Sequence, residues 1–345
     1  MNKVIIKILL SAVLLLIYLN ATADTTRVLF IGNSYTYAND LPVLFKNLSA
    51  SGNKIVITDM SAPGGFSFEN HFEYSETINK IRLGNWNYVV LQEQSQMPVI
   101  PFYRFNSTYP FAIRLDSLIK SYGQSTVFFV TWGREAGGQQ CINSYCSPVF
   151  IDYFHMQDSL TSSYRMICDS LNAILAPAGE AWRTAKKLNS AIDLWDSDGS
   201  HPSLKGSYLS ACLFYKKLFN QSPIGLIYTA GLSSSDALFL QNCANQTYTG
   251  ISLKAEYSLN TVEPDIYPNP FNSQTTIRFT LVKKVYCKIE ICDILGRNLE
   301  TLLNEKLNPG NYKYTFNGSN YASGMYFAKL TADENMSIKR LVIVK

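Results

Sequence analysis

The chain has 345 residues, a length at which two domains are expected, and 47% of them are hydrophobic against 16% charged, so a sizeable core is expected and disorder is not. The formal net charge is +4, but residues 24–261 hold 17 Lys and Arg against 18 Asp and Glu. Because no basic stripe marks this part of the chain, nucleic acid is not an expected partner.

The N-terminus has the pattern of a secretory signal peptide. Lys3 and Lys7 supply a positive n-region, residues 8–19 form a short apolar run, and a small-residue cleavage site ends at Ala23. This pattern predicts a signal peptide at 1–23 and a destination where disulfides are permitted. An uncleaved anchor is the alternative, although the apolar run is short for a membrane span.

Strands and helices alternate from Arg27 to about Lys217. Apolar, β-branched runs predict strands at 28–31, 54–60, 88–91, 126–131 and 173–177. The stretches between them predict helices at 41–50, 68–81, 111–121, 151–173, 179–188 and 203–220, with a further helix at 237–246. This alternation predicts an α/β fold with a parallel sheet and right-handed crossovers.

The character of the chain changes after a linker near residues 260–264. Short runs separated by turns predict strands at 275–281, 285–291, 312–316, 325–331 and 336–344. Strands at this spacing predict a small antiparallel β-sandwich, which contains no constellation of catalytic side chains.

The chain has seven cysteines, so at least one is unpaired in a monomer. Cys141 and Cys146 flank a short polar loop and are the expected pair. Cys287 and Cys292 lie five positions apart, so within one strand their side chains would face opposite sides, which favours buried free thiols. No Cys and His spacing is typical of a zinc site, so no metal is expected.

A candidate nucleophile follows the first predicted strand. The apolar run ends in Gly32, Asn33 and Ser34, which predicts a buried strand that delivers a serine to the carboxyl edge of the sheet. Ligands bind at that edge in open α/β sheets. Although an ordinary turn is the alternative, the position of Ser34 predicts a serine hydrolase.

A candidate base and its orienting acid lie far downstream. Asp198 and His201 are three positions apart, so a loop can fold the carboxylate back onto one imidazole nitrogen and leave the other for Ser34. Asp193 and Asp196 are rival acids. The alternative is a polar cap for the helix after Ser203, with a surface histidine.

Donors for an oxyanion are expected at the same edge. The backbone N–H groups of Ser34 and of Gly65, or less favourably Gly64, fit this role because glycine allows close approach of the backbone to a substrate. A side-chain amide after the third strand also fits, and we favour Gln94 over Gln92. A simple turn and a solvated loop are the alternatives.

Further side chains at this edge are candidates for the wall of a substrate pocket. Trp132, Arg134 and Glu135 follow the fourth strand, and Tyr35, Asn70 and His71 follow the first two. For Arg134 a structural ion pair is an equal alternative.

Taken together, residues 27–220 resemble the SGNH (GDSL-like) hydrolase superfamily. The resemblance rests on three sequence motifs: Ile31-Gly32-Asn33-Ser34-Tyr35, Gly64-Gly65 and Asp198 to His201. The resemblance implies a flavodoxin-like three-layer α/β/α sandwich, a Ser34 nucleophile, a His201 base, an Asp198 orienter and no metal or other cofactor. The third block departs from the family's Gly-x-Asn-Asp, because Gln94 stands where the oxyanion-hole asparagine is expected.

Residues 262–345 resemble the C-terminal sorting domain of type IX secretion cargo. The resemblance is carried by Ile266-Tyr267-Pro268-Asn269-Pro270-Phe271, Asp293-Ile294-Leu295-Gly296-Arg297, Gly324-Met325-Tyr326 and the ending from Lys339 to Lys345. It implies export across the outer membrane by the type IX secretion machinery, which is then a partner, and frequent removal of the tail. An adhesive or carbohydrate-binding β-sandwich is the alternative.

These observations predict three parts: a signal peptide at 1–23, an SGNH-like hydrolase domain at 24–259 and a sorting domain at 260–345. The expected function is that of a secreted or cell-surface serine esterase that removes O-acetyl or other short acyl groups from carbohydrate. The alternatives are a non-catalytic carbohydrate-binding protein on a hydrolase-like fold, and a lipase or thioesterase that acts on longer acyl chains.

Overall fold

The computed structural model describes residues 25–247, 264–281, 284–294, 296–333 and 335–345. The predicted signal peptide and residues 260–263 of the predicted linker lie outside this part of the chain. Among the helices that are described, none combines the length and apolar character that a membrane span requires.

A five-stranded parallel sheet organises residues 26–176. The strands up to this point are β1 (Thr26–Ile31), β2 (Val56–Ser61), β3 (Tyr88–Leu91), β4 (Ser125–Phe129), β5 (Gly138–Ile142), β6 (Tyr145–Phe150) and β7 (Ile174–Ala176). The sheet has the order β2-β1-β3-β4-β7, while β5 and β6 form a separate antiparallel hairpin. Because β2 and β3 lie on opposite sides of β1, the carboxyl end of β1 is the switch point at which such sheets bind ligands.

Helices cover both faces of this sheet. They are α1 (Ser34–Tyr37), α2 (Leu41–Ser51), α3 (Phe68–Glu73), α4 (Ser75–Arg82), α5 (Pro101–Tyr103), α6 (Tyr109–Ser121), α7 (Tyr153–Leu171), α8 (Ala178–Leu188), α9 (Leu204–Phe219) and α10 (Ser234–Gln246). Short 3₁₀ turns at Ala38–Asp40 and Met97–Val99 and a π turn at Arg104–Thr108 connect them.

The alternation of side chains along β1 divides the interior into two cores. Phe30 points to the face covered by α2 and α9, where its ring lies edge-on to Phe214 at 5.4 Å. Leu29 and Ile31 point to the opposite face, where they share a core with Phe68 and residues of α6 and α7. Full burial of each such side chain stabilises the fold by about 1.5–3 kcal/mol. The predicted three-layer α/β/α sandwich is confirmed.

The C-terminal residues form a β-sandwich, as predicted. Its strands are β8 (Asp265–Tyr267), β9 (Gln274–Leu281), β10 (Val285–Cys292), β11 (Asn298–Leu307), β12 (Gly310–Asn317), β13 (Gly324–Ala332) and β14 (Asn335–Ile343). They build one sheet in the order β11-β10-β13-β14 and another in the order β12-β9-β8. Side chains of both sheets, such as Ile277, Phe316, Ile289 and Leu330, share one buried core.

The structure departs from the sequence predictions in several elements. The helix predicted at 68–81 is two helices, because Tyr74 adopts an extended backbone between α3 and α4. The β5–β6 hairpin, the strands β8 and β11 and the short helices α1 and α5 were not predicted. The predicted disulfide joins Cys141 to Cys146, and the other five cysteines are free and buried.

Candidate active site

The turn after β1 is packed too tightly for any residue other than glycine at position 32. A Cβ atom on Gly32 would lie 2.3 Å from Oγ1 of Thr36 and 2.5 Å from Oε1 of Gln92. The chain therefore passes directly over these two side chains before Asn33 caps α1 and Ser34 opens it.

Asn33 and Gln92 fix this turn to the neighbouring loops. The Asn33 N–H donates to Oε1 of Gln92 at 2.9 Å, and the Asn33 side-chain amide donates to the carbonyl of Phe66 at 2.9 Å. Both residues are buried. The serine-bearing turn is thus tied to the loop after β2 and to the loop after β3, which were predicted to supply oxyanion donors.

Ser34, His201 and Asp198 lie in line. Nε2 of His201 is 2.9 Å from Oγ of Ser34, and Nδ1 of His201 is 2.5 Å from Oδ2 of Asp198. The acid reaches the ring because Gly199 takes a positive φ of 64°, which turns the loop back on itself. The structure therefore brings together the three residues that the sequence singled out.

Asp198, rather than its two rivals, contacts the imidazole. Its Oδ1 also accepts hydrogen bonds from the backbone N–H groups of Ser200 and His201 at 2.9 and 2.8 Å. Partial burial raises the pKa of Asp198, but these hydrogen bonds and the one from the His201 ring outweigh it, so the pKa lies below its ordinary value. The carboxylate of Asp196 accepts from the Ser197 N–H instead, and Asp193 contributes only its backbone carbonyl, to Ser203.

Tyr35, Trp132 and Arg134 hold the histidine loop in place. The Tyr35 hydroxyl lies 2.7 Å from Oγ of Ser200 and accepts a 2.7 Å hydrogen bond from Nη1 of Arg134. The Tyr35 ring stacks on Trp132 at 4.9 Å, and the Trp132 indole N–H donates to the carbonyl of Ser200. Tyr35 and Trp132 are 3% and 1% exposed, so their contacts are those of positioning residues rather than of an open pocket wall.

His71 lies behind the turn and has no exposed surface. Its Nε2 contacts the carbonyl of Gly32 at 2.7 Å and its Nδ1 contacts Oγ1 of Thr77 at 2.8 Å. Since a carbonyl only accepts, Nε2 carries the proton and Nδ1 accepts from the Thr77 hydroxyl. Burial lowers the pKa of His71 to about 4, although the hydrogen bond to Gly32 opposes the shift. The ring is thus neutral and supports the turn from beneath. Contrary to the prediction, His71 does not line a substrate pocket, because its side chain is fully buried.

The predicted oxyanion donors differ in whether they already make hydrogen bonds within the protein. Among residues 25–247, the N–H groups of Ser34 and Gly65 make no hydrogen bond, and Gly65 is exposed with a positive φ. The Gln94 side chain is engaged within its own loop, because its oxygen accepts from the N–H groups of Gln96 and Met97 and its amide donates to Oε1 of Gln96. Gln92 holds the turn after β1 and donates its own amide to the carbonyl of Glu93.

Glu93 is a residue of the site that the sequence reasoning did not single out. It is fully buried, and its Oε1 accepts from the N–H of Phe68 at 3.0 Å and from the N–H of Gln94 at 2.7 Å. Burial raises its pKa to about 7 against the opposing effect of these hydrogen bonds. Its contacts join the loops after β2 and β3. A charged residue directly after an apolar strand was the signal available in the sequence.

Metal ligands do not cluster in the part of the chain that is described: no group of three or more His, Cys, Asp or Glu side chains is placed to hold an ion there.

Comparison with known proteins identifies the C-terminal part. Residues 265–344 match the family model of the secretion system C-terminal sorting domain, as the sequence motifs predicted. This domain indicates export to the cell surface or beyond by the type IX machinery. No curated protein matches the chain as a whole.

Solved structures resemble the N-terminal part. A DUF4886 family protein from Bacteroides uniformis is 17% identical with a TM-score of 0.54, over 64% of this chain and 94% of that chain. A candidate SGNH hydrolase from Slackia heliotrinireducens is 24% identical with a TM-score of 0.44, over 56% and 100% of the two chains. A candidate GDSL-like lipase from Parabacteroides merdae is 16% identical with a TM-score of 0.42, over 57% and 96%. The chain therefore joins an α/β fold that it shares with the Bacteroides uniformis protein to a C-terminal sorting domain.

Proposed function

We propose that the chain is an exported serine ester hydrolase. The observation that carries the proposal is the unbroken line of hydrogen bonds from Ser34 through His201 to Asp198. Acyl transfer needs a nucleophile, a base, a group that orients the base and donors for the oxyanion. The first three are aligned at the switch point of the parallel sheet, where ligands of such folds bind.

In the first half of the reaction, the Ser34 oxygen attacks the ester carbonyl while Nε2 of His201 takes the serine proton. Asp198 accepts the Nδ1 proton, fixes the tautomer and stabilises the imidazolium that forms. The lowered pKa of Asp198 supports this role, because the carboxylate stays ionised into the acid range. Collapse of the tetrahedral intermediate passes the proton from His201 to the leaving alcohol and leaves an acyl group on Ser34.

In the second half, water attacks the acyl-enzyme and His201 again serves as the base. The carboxylic acid is released and the serine recovers its proton. The oxyanion of each step is assigned to the unpaired N–H groups of Ser34 and Gly65. We keep the Gln94 amide as the third donor, because the hydrogen bond to Gln96 uses only one of its two N–H groups.

The proposed substrate is a short acyl ester, such as an acetyl group, on carbohydrate. Export by the sorting domain supports an extracellular substrate, and the SGNH-like motifs support ester chemistry. We further propose the boundaries 1–23 for a signal peptide, 24–259 for the hydrolase domain and 260–345 for the sorting domain.

The nucleophile is tested with 4-nitrophenyl acetate and the exported chain. Ser34→Ala is expected to lower kcat by at least about 10³-fold, the scale of loss when a triad member is removed. Ser121→Ala, at the end of α6, is the matched control and is expected to retain the wild-type rate. Equal rates in the Ser34→Ala and wild-type proteins would overturn the assignment.

Acyl specificity is tested separately with acetate, butyrate and palmitate esters of 4-nitrophenol. A short-chain hydrolase is expected to lose kcat/KM steadily as the acyl chain grows. An optimum at palmitate would replace the proposal with a lipase or thioesterase while leaving the Ser34 chemistry intact.

A further inference from the structure

Two stretches beside the candidate active site contain no charged residue. Residues 94–103 and 136–151 lack Asp, Glu, Lys, Arg and His, in a chain with 16% charged residues. They follow β3 and β4 at the carboxyl edge of the parallel sheet. The surface beside the site is therefore built from amides, hydroxyls and apolar rings.

These two stretches pack against each other. Nε2 of Gln96 donates to Oε1 of Gln140 at 3.1 Å, near the base of the β5–β6 hairpin. At its tip, Nδ2 of Asn143 donates to the hydroxyl of Tyr103 at 2.9 Å. The hairpin is thus fixed to the loop after β3 near its base and to α5 at its tip.

Three aromatic rings meet where the hairpin tip contacts α5. Phe102 and Tyr145 stack face to face with ring centroids 3.5 Å apart, and Tyr103 lies edge-on to both at 5.3 and 5.9 Å. Phe102 is 38% exposed and Tyr145 is 41% exposed. We name these three residues the aromatic platform. Exposed apolar clusters of this kind mark interaction sites.

A disulfide and a hydrogen bond brace the aromatic platform. The disulfide between Cys141 and Cys146 closes the hairpin directly beside Tyr145. Because the rings are already ordered, a ligand loses little affinity to ordering them on binding.

A short path of contacts links the aromatic platform to Ser34. Arg134 donates to the hydroxyl of Tyr35, the neighbour of Ser34, and to Oγ of Ser95 at 3.1 Å. Ser95 precedes Gln96, which holds the hairpin. The aromatic platform and Ser34 thus belong to segments that follow the neighbouring strands β1, β3 and β4 at one edge of the sheet.

We propose that the aromatic platform binds neutral sugar residues of a polysaccharide, next to the residue whose ester is cleaved. Sugar rings have C–H faces that pack on aromatic rings, and hydroxyl edges that pair with amides and hydroxyls. The absence of charge in both stretches favours a neutral polymer over an anionic one. The ester step rests on the proposed function, whereas sugar binding does not.

The test measures binding without turnover in the exported chain that carries Ser34→Ala. Affinity electrophoresis with neutral acetylated glucomannan is expected to give strong retardation, and Phe102→Ala with Tyr145→Ala is expected to weaken binding at least tenfold. Tyr122→Ala, with the same 41% exposure but before β4 at the opposite edge, is the control and is expected to bind normally. Thermal melting checks that each variant is folded. If the double variant is not folded, the single Tyr145→Ser variant at the exposed tip replaces it in the binding measurement.

Unchanged affinity for glucomannan in folded platform variants would overturn the proposal. It would also be overturned if the Ser34→Ala chain with an intact platform did not bind glucomannan, or bound only acidic pectin. The result is independent of the hydrolysis test. Failure of Ser34→Ala to reduce 4-nitrophenyl acetate hydrolysis would remove the proposed esterase while leaving sugar binding to stand or fall on the retardation data.

Discussion

Oγ of Ser34 lies 2.9 Å from Nε2 of His201, although 167 positions separate the two residues. The segments that carry them are joined on either side of this contact. The Tyr35 hydroxyl meets Oγ of Ser200, and Nδ2 of Asn39 donates to the carbonyl of Pro202. Because residues adjacent to each partner are bonded to each other, the serine and the histidine are held in register by more than their own hydrogen bond.

Asp198→Asn is expected to lower kcat by about 10²–10⁴-fold with little change in KM, because an amide favours the wrong histidine tautomer without removing the contact. Asp196→Asn is the matched control, since within the described residues its carboxylate bonds only to the neighbouring Ser197 N–H. Steady-state rates on 4-nitrophenyl acetate measure both. A loss of rate in Asp196→Asn and not in Asp198→Asn would show that the orienting acid is misassigned.

Gly32→Ala is expected to displace the side chains of Thr36 and Gln92, since the new methyl group lies within 2.5 Å of an oxygen of each. Overpacking of this kind costs about 1–3 kcal/mol. Displacement of Gln92 also releases the Asn33 N–H, so we expect kcat to fall at least tenfold. Urea unfolding and ester hydrolysis measure the two effects.

The partner change Thr36→Ala in the Gly32→Ala background removes one of the two clashes and is expected to recover part of the lost stability. If Gly32→Ala has wild-type stability and rate, the close packing beneath the turn does not constrain the site.

The sheet and its helices could be predicted from the sequence because their signals are local. The strand at 88–91 was predicted with the bounds that the structure gives it. The place of Ser34 follows from the strand before it, and the places of Asp198 and His201 follow from the helix after them. A parallel sheet then brings the carboxyl ends of its strands to one edge.

The parts that could not be predicted depend on packing between distant segments. The hairpin at 138–150 has little strand periodicity, and its position depends on Gln140 and Asn143 bonding to residues 96 and 103. In the same way, nothing near His71 in the sequence indicates that its ring lies beneath Gly32. The orientation of the Gln94 amide depends on the turn that follows it.

His71 is expected to remain neutral with its proton on Nε2 between pH 5 and 8, since burial lowers its pKa to about 4. The unfolded chain takes up a proton near the ordinary value of 6.5, so the contribution of His71 to stability is expected to fall as the pH drops from 6.5 towards 4. Ring ¹⁵N shifts in NMR spectra report the tautomer directly. A His155→Gln variant helps to assign the signals, because the chain has three histidines. A protonation midpoint near 6.5 for His71 would contradict the buried contact.

Glu93 is expected to make a contribution to the free energy of unfolding that declines as the pH rises. Burial raises the pKa of its carboxyl from 4.5 to about 7 in the folded state. Between these values the folded chain holds a proton that the unfolded chain has released, so the free energy of unfolding falls with increasing pH. At 1.36 kcal/mol for each pKa unit, the whole effect is about 3 kcal/mol.

Glu93→Gln isolates this contribution, because the amide oxygen can still accept from the N–H groups of Phe68 and Gln94. Urea unfolding from pH 5 to 8 is expected to show that the free energy of unfolding of the wild-type protein, relative to that of Glu93→Gln, falls as the pH rises. The opposite contribution of His71 is the same in both proteins and cancels in this difference. Glu73→Gln, at an exposed position on α3, is the control and is expected to keep the wild-type slope. Parallel slopes in the wild-type and Glu93→Gln proteins would mean that Glu93 ionises as readily in the folded chain as in the unfolded one. The two loops would then be joined by an ordinary carboxylate.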